Sequence, residues 1–188
     1  MVVQNGLRQL LSHFNDKEAH IFYHFNDNDL YLNNVMTFIS IGIKKGYHIL
    51  VIENERNIIH INSRLMKEFS EEECSKVHII NNFDFYYANN SFDPKVIYDH
   101  FIKSIAPFLD DHSMVWTWGL VEWGEESEII PKIKEYEQNL DKFIKGKDII
   151  SVCAYDVQRT PEQLKDILMT CHCAMLTDDR IFLPQSKS

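Results

Sequence analysis

The chain predicts an α/β fold, a three-layer arrangement with a mostly parallel central sheet flanked by helices. Three observations carry that expectation. Five apolar runs rich in β-branched and aromatic residues recur along the sequence with little polar alternation, as strands covered on both faces do. Helical patterns fill the intervals, so strand and helix alternate as in right-handed βαβ crossovers. The 188 residues include only six Gly and five Pro, and no Pro- or Gly-rich linker divides them, so one domain is expected over residues 1–188.

Taken in order, residues 1–16 form an N-terminal helix extension, with Leu7, Leu10, Leu11 and Phe14 at helical spacing. The first strand is His20–Phe25 (HIFYHF). A helix over Leu30–Lys45 follows, with Leu32, Val35, Met36, Ile39 and Ile43 in one stripe and Gly46 as its stop. The strands His48–Ile52, Val77–Ile80, Met114–Trp118 and Ile149–Tyr155 alternate with helices at Asn57–Phe69, Pro94–Leu109, Glu128–Ile144 and Pro161–Cys171. Asp93-Pro94 and Thr160-Pro161 each place a capping residue before a proline at the first helical position, where the missing N–H costs nothing. A short hairpin of Ala174–Thr177 with Arg180–Leu183 closes the fold, and residues 184–188 read as a polar tail.

Composition restricts the partners. Twenty-eight Asp and Glu against 19 Lys and Arg give a net charge of −9, without a basic patch. Such a surface repels phosphate backbones and anionic lipid, so neither direct nucleic-acid binding nor membrane binding is expected. No run approaches the ~20 apolar residues that span a bilayer, and the N-terminus lacks the layout of a signal peptide. Cys74, Cys153, Cys171 and Cys173 form no CxxC pair and read as reduced thiols. The expected location is cytoplasmic.

In open parallel sheets ligands bind beyond the carboxyl ends of the strands. A phosphate-binding loop after the first strand needs glycines and a Lys-Ser/Thr pair. The sequence there is Phe25-Asn26-Asp27-Asn28-Asp29-Leu30-Tyr31, with no glycine, no lysine and two carboxylates. Asp27 or Asp29 reads as a helix cap, placed where a phosphate would otherwise be drawn to the helix dipole. The strand Met114–Trp118 runs into Gly119 rather than Asp, and Glu122 is the first acid after it.

Four segments resemble one family. They are His20-Ile21-Phe22-Tyr23; Phe38–Ile52; Gly119-Leu120-Val121-Glu122-Trp123 with Tyr136-Glu137-Gln138-Asn139-Leu140; and Val152-Cys153-Ala154-Tyr155-Asp156 followed by the helix to His172. In order and spacing they are similar to the MEDS domain, a methanogen/methylotroph, DcmR-like sensory domain. The resemblance implies a RecA/KaiC-like fold, that of a P-loop ATPase without Walker motifs. It also implies sensing of a ligand or signal. The sequence departs from the family in spreading a Gly-Glu juxtaposition over Gly119 to Glu122.

The candidate ligand-binding residues are His24, Asn26, Asp27, Glu53, Trp118, Glu122, Tyr155, Asp156 and His172. All but His172 lie at or near strand ends, and they are expected to cluster. Glu55 and Asp156 read first as caps or solvated acids. Glu122 lies in a run with Trp116, Trp118 and Trp123, where an acid beside indoles can receive a cationic or polar ligand. The same indoles can equally be core packing. Cys171-His172-Cys173 is too tightly spaced to ligate one ion, and neither a metal nor a cofactor is expected. No GxSxG elbow offers a nucleophile. The expected function is a non-catalytic sensory or regulatory domain that binds a small organic ligand, a partner such as a kinase or transcription regulator, or both. The alternatives are an unconventional ATPase or transferase using strand-end acids, and a pure interaction module.

Overall fold

The computed structural model describes residues 5–109 and 114–183. The polar tail and the first four residues of the N-terminal extension lie outside the described residues. The strands are β1 (Ala19–Phe25), β2 (His48–Glu53), β3 (Val77–Asn81), β4 (Val115–Leu120), β5 (Ile149–Asp156), β6 (Ala174–Thr177) and β7 (Ile181–Phe182). The helices are α1 (Asn5–Phe14), α2 (Asn28–Lys45), α3 (Glu55–Glu68), α4 (Glu71–Cys74), α5 (Asn82–Tyr86), α6 (Pro94–Leu109), α7 (Ile129–Ile144) and α8 (Glu162–Cys171).

The strands form one sheet in the order β3-β2-β4-β5-β1-β6-β7, parallel except for the β6–β7 hairpin. Successive side chains of a strand point to opposite faces. Tyr23, Val51, Trp116 and Trp118 accordingly join one core, beneath α1, α2 and α3. Phe22, Leu50, Cys153 and Tyr155 join the other, beneath α5, α6, α7 and α8. The two cores are the reason the strand sequences lack alternation: both faces are dry.

Helix ends follow local chemistry. Asp27 accepts from the amides of Asp29 and Leu30, capping α2. Asp93 accepts from the amides of Lys95 and Val96 at the start of α6. Thr160 departs from expectation: its hydroxyl donates back to the Asp156 carbonyl, and Pro161 takes the cap position of α8 without a side-chain hydrogen bond. The short helices α4 and α5 are not expected from periodicity, since neither exceeds five residues. They rest on local caps instead, a Ser70–Glu73 capping box and the Asn81 side chain. Among the described residues no helix is long and apolar enough to cross a membrane.

Gly46 ends α2 with φ of +79°, and its N–H reaches the carbonyls of Gly42 and Ile43. A Cβ at this position would meet only the Lys76 ammonium at 3.8 Å, so the demand for glycine is conformational, not steric. Gly46→Val is therefore expected to destabilise the fold by about 1–2 kcal/mol, read from urea unfolding, because a β-branched residue resists left-handed backbone.

Candidate functional site at the carboxyl end of the sheet

The loop from β1 into α2 lies at the carboxyl end of β1, where a helix N-terminus attracts anions. Its free amides are met by a carboxylate from elsewhere in the chain. Asp178, in the turn between β6 and β7, accepts from the amides of Asn26 at 3.0 Å and Asp27 at 2.9 Å through one oxygen. Its other oxygen accepts from the Tyr23 hydroxyl at 3.2 Å, and Tyr23 accepts in turn from the Asn34 amide. Burial raises the Tyr23 phenol, with Asp178 adding to the effect, so it stays a donor. Asn26 also accepts from the Gln158 amide, and Asp156 holds the Gln158 backbone N–H.

Next to this loop, at the end of β2, Glu53 is fully buried. The Tyr31 hydroxyl donates to it, and Trp118 donates its indole N–H to that hydroxyl at 2.9 Å. The Asn57 amide reaches the second carboxylate oxygen at 2.9 Å. Burial nevertheless wins over these donors and raises the Glu53 carboxyl from 4.5 to about 7.

Beyond β4 the surface opens into a pocket of about 260 Å³ lined by Asn82, Phe83, Tyr87, Glu122, Trp123 and Gly124. Its walls are mainly aromatic: Phe83 and Tyr87 stack at 5.6 Å, and Phe83 is 64% exposed. Glu122 accepts from the Asn82 amide at 2.7 Å and lies 3.9 Å from the Arg159 guanidinium, which sits over the Trp123 ring. Tyr87 fixes the far rim by accepting from the Gly124 amide at 2.7 Å.

Below the strand ends, in the second core, is a polar group. His20 of β1, Glu137 of α7, Cys153 of β5 and His172 at the end of α8 face one another. Glu137 is fully buried and accepts from the Tyr155 hydroxyl. Burial opposes its ionisation, but His172 and His20 outweigh burial and hold the carboxyl far below its usual range. Burial and the neighbouring His20 lower His172. Burial also works against charge on His20, yet Cys153, Asp141 and Glu137 raise it.

The nine sequence candidates therefore do not form one cluster. Asn26, Asp27 and Asp156 share the rim above β1 and β5. Glu53 and Trp118 form a buried pair bridged by Tyr31. Glu122 alone lines the aromatic pocket, and of the three indoles only Trp123 reaches it, because Trp116 and Trp118 are core. Tyr155 and His172 point down into the Glu137 group. His24 faces α8; its Nε2 has no hydrogen-bond partner among the described residues, and burial and Lys165 lower the imidazole. Sequence reasoning missed Asp178, Asn82, Tyr87, His20, Glu137 and Cys153. The hairpin turn was the one available signal for Asp178; the others come together only through long-range topology.

The sequence matches the family described as MEDS, the MEthanogen/methylotroph, DcmR Sensory domain, over residues 19–173. The chain belongs to this family of sensory domains, and membership points to a role in sensing or signalling. A solved structure described as an ATPase domain superposes with a TM-score of 0.52 at 9% identity, covering 85% of this chain and 69% of that one. A protein of Pyrococcus horikoshii OT3 gives 0.49 at 8% identity, covering 97% and 93%. At 9% identity the first of these likenesses is one of fold alone, a mostly parallel sheet resembling that of RecA-like ATPase domains. Comparison with curated proteins gives no match.

Glu53 makes stability depend on pH. A folded-state value raised from 4.5 to about 7 means the folded chain binds this proton more tightly than the unfolded one. Its contribution is complete below pH 4.5 and is lost as pH rises through about 7. The loss is about 3 kcal/mol at ~1.4 kcal/mol per pH unit. Glu53→Gln is expected to remove that share of the slope; parallel unfolding profiles of the two proteins across this range would refute the assignment.

Proposed function

We propose that the domain is a non-catalytic sensor whose small organic ligand binds in the pocket beside Glu122, and that it passes the signal to a partner signalling protein. The observation that carries this reading is a division of labour at the sheet end. The amides that would cradle a phosphate are engaged by the chain's own Asp178. The neighbouring pocket offers aromatic faces, one carboxylate and one amide instead. Few polar groups in a largely apolar wall suit a compact molecule with an apolar body and a polar or cationic head. The sensory family agrees with this reading.

The reading is tested with small probes: trimethylammonium as a cation, and short-chain alcohols and halomethanes as neutral molecules. A true ligand at about 100-fold over its Kd adds ~2.7 kcal/mol to stability, several degrees of Tm. It also changes the fluorescence of Trp123, and Trp123→Phe abolishes that change while leaving the two core indoles. Glu122→Gln weakens a cationic probe by about 5- to 30-fold, the ~1–2 kcal/mol of a partly desolvated charge contact. A Tm shift that survives both substitutions unchanged would place the ligand elsewhere, and no shift with any probe would overturn the small-molecule reading.

A further inference from the structure

We propose that His20, Glu137, Cys153 and His172 form a tetrahedral site for one divalent transition-metal ion, Zn²⁺ by preference. The four residues come from four separate parts of the fold, yet one donor atom of each lies within 4.8 Å of every other. The spacings are those of ligands around a common centre. His20 Nε2 is 3.1 Å from Glu137 Oε2 and 3.4 Å from Cys153 Sγ, and His172 Nε2 is 3.4 Å from the same carboxylate oxygen. Nitrogen, oxygen and sulfur held about 2.0–2.3 Å from a zinc ion at tetrahedral angles are about 3.3–3.7 Å apart.

The hydrogen bonds around the group support the same conclusion. His172 Nδ1 lies 2.7 Å from the Leu168 carbonyl, which can only accept, so the proton is on Nδ1 and Nε2 turns its lone pair inward. His20 Nδ1 lies 3.1 Å from the Cys171 carbonyl and is oriented in the same way. Tyr155 holds the outer oxygen of Glu137. Ligating histidines and carboxylates are oriented by outer partners of this kind.

What remains inside is unsatisfied. Among the described residues neither Glu137 Oε2 nor His172 Nε2 has a hydrogen-bond partner of good geometry, although both side chains are at most 1% exposed and His20 Nε2 lies 3.1 Å from that oxygen. A carboxylate oxygen and an imidazole lone pair facing each other in a dry interior repel, and a cation between them turns repulsion into ligation. Two imidazoles, one carboxylate and one thiolate are a borderline-soft set, suited to zinc and unsuited to Mg²⁺ or Ca²⁺. Two anionic ligands balance a 2+ ion, and four protein ligands leave no open position, so the ion is structural and clamps α7 and the end of α8 onto β1 and β5. A cavity of about 110 Å³, lined by Met169, His172, Cys173, Met175 and Phe182 among others, gives an approach from the surface.

The test is cobalt substitution in the purified, chelator-stripped chain, which needs no variant. One equivalent of Co²⁺ is expected to give the intense visible bands of a tetrahedral ion and a near-ultraviolet thiolate-to-metal band, both bleached by one equivalent of Zn²⁺. Cys153→Ser loses the thiolate band, Cys173→Ser keeps it, and Tyr155→Phe weakens affinity about 10- to 100-fold through the carboxylate it orients. A folded chain that shows no saturable cobalt spectrum overturns the proposal. So does a weak octahedral spectrum, or a thiolate band that persists in Cys153→Ser.

Discussion

Two carboxylates of the chain itself neutralise the start of α2, and the arrangement of the sheet end follows from that. A helix N-terminus presents unpaired amides and partial positive charge, and something must meet them. Here Asp27 caps the helix from within, while Asp178 crosses from the β6–β7 turn to take the amides of Asn26 and Asp27. The hairpin turn is thereby tied to β1, because Asp178 also receives the Tyr23 hydroxyl. With the loop held in this way, the open surface shifts toward β4, where the Glu122 pocket lies.

The same economy governs the interior. Each core buries a carboxylate among specific polar neighbours. Glu53 in the first is reached by Tyr31 and Asn57, with Trp118 supporting the tyrosine. Glu137 in the second sits among His20, His172 and Tyr155. Tyr155 also lies 6.2 Å from Trp123, so one aromatic contact separates the surface pocket from the Glu137 group. A ligand that moves Trp123 has a short physical route into the core.

Much of the fold was legible because its determinants are local. Apolar runs without alternation mark strands covered on both faces, Gly46 stops a helix, and Asp93 caps one. The exceptions are instructive. Thr160 has the right residue type before a proline, but the Asp156 carbonyl competed for its hydroxyl. The site was less legible because it is assembled across the sheet. His20 and Cys153 are 133 residues apart and meet only because β1 pairs with β5. His172 drew notice for its flanking cysteines, whereas the residues that face it are Glu137 and His20. Each member of that group nonetheless falls in a segment that carried the family resemblance.

The most direct measurement is a calorimetric titration of the chain with ATP-Mg²⁺, run alongside a phosphate-release assay. If the α2 N-terminus is satisfied by Asp27 and Asp178, there is no saturable heat at millimolar nucleotide and no turnover. Saturable binding accompanied by phosphate release would contradict the account, since it requires the nucleotide to displace Asp178 and find catalytic groups at the sheet end.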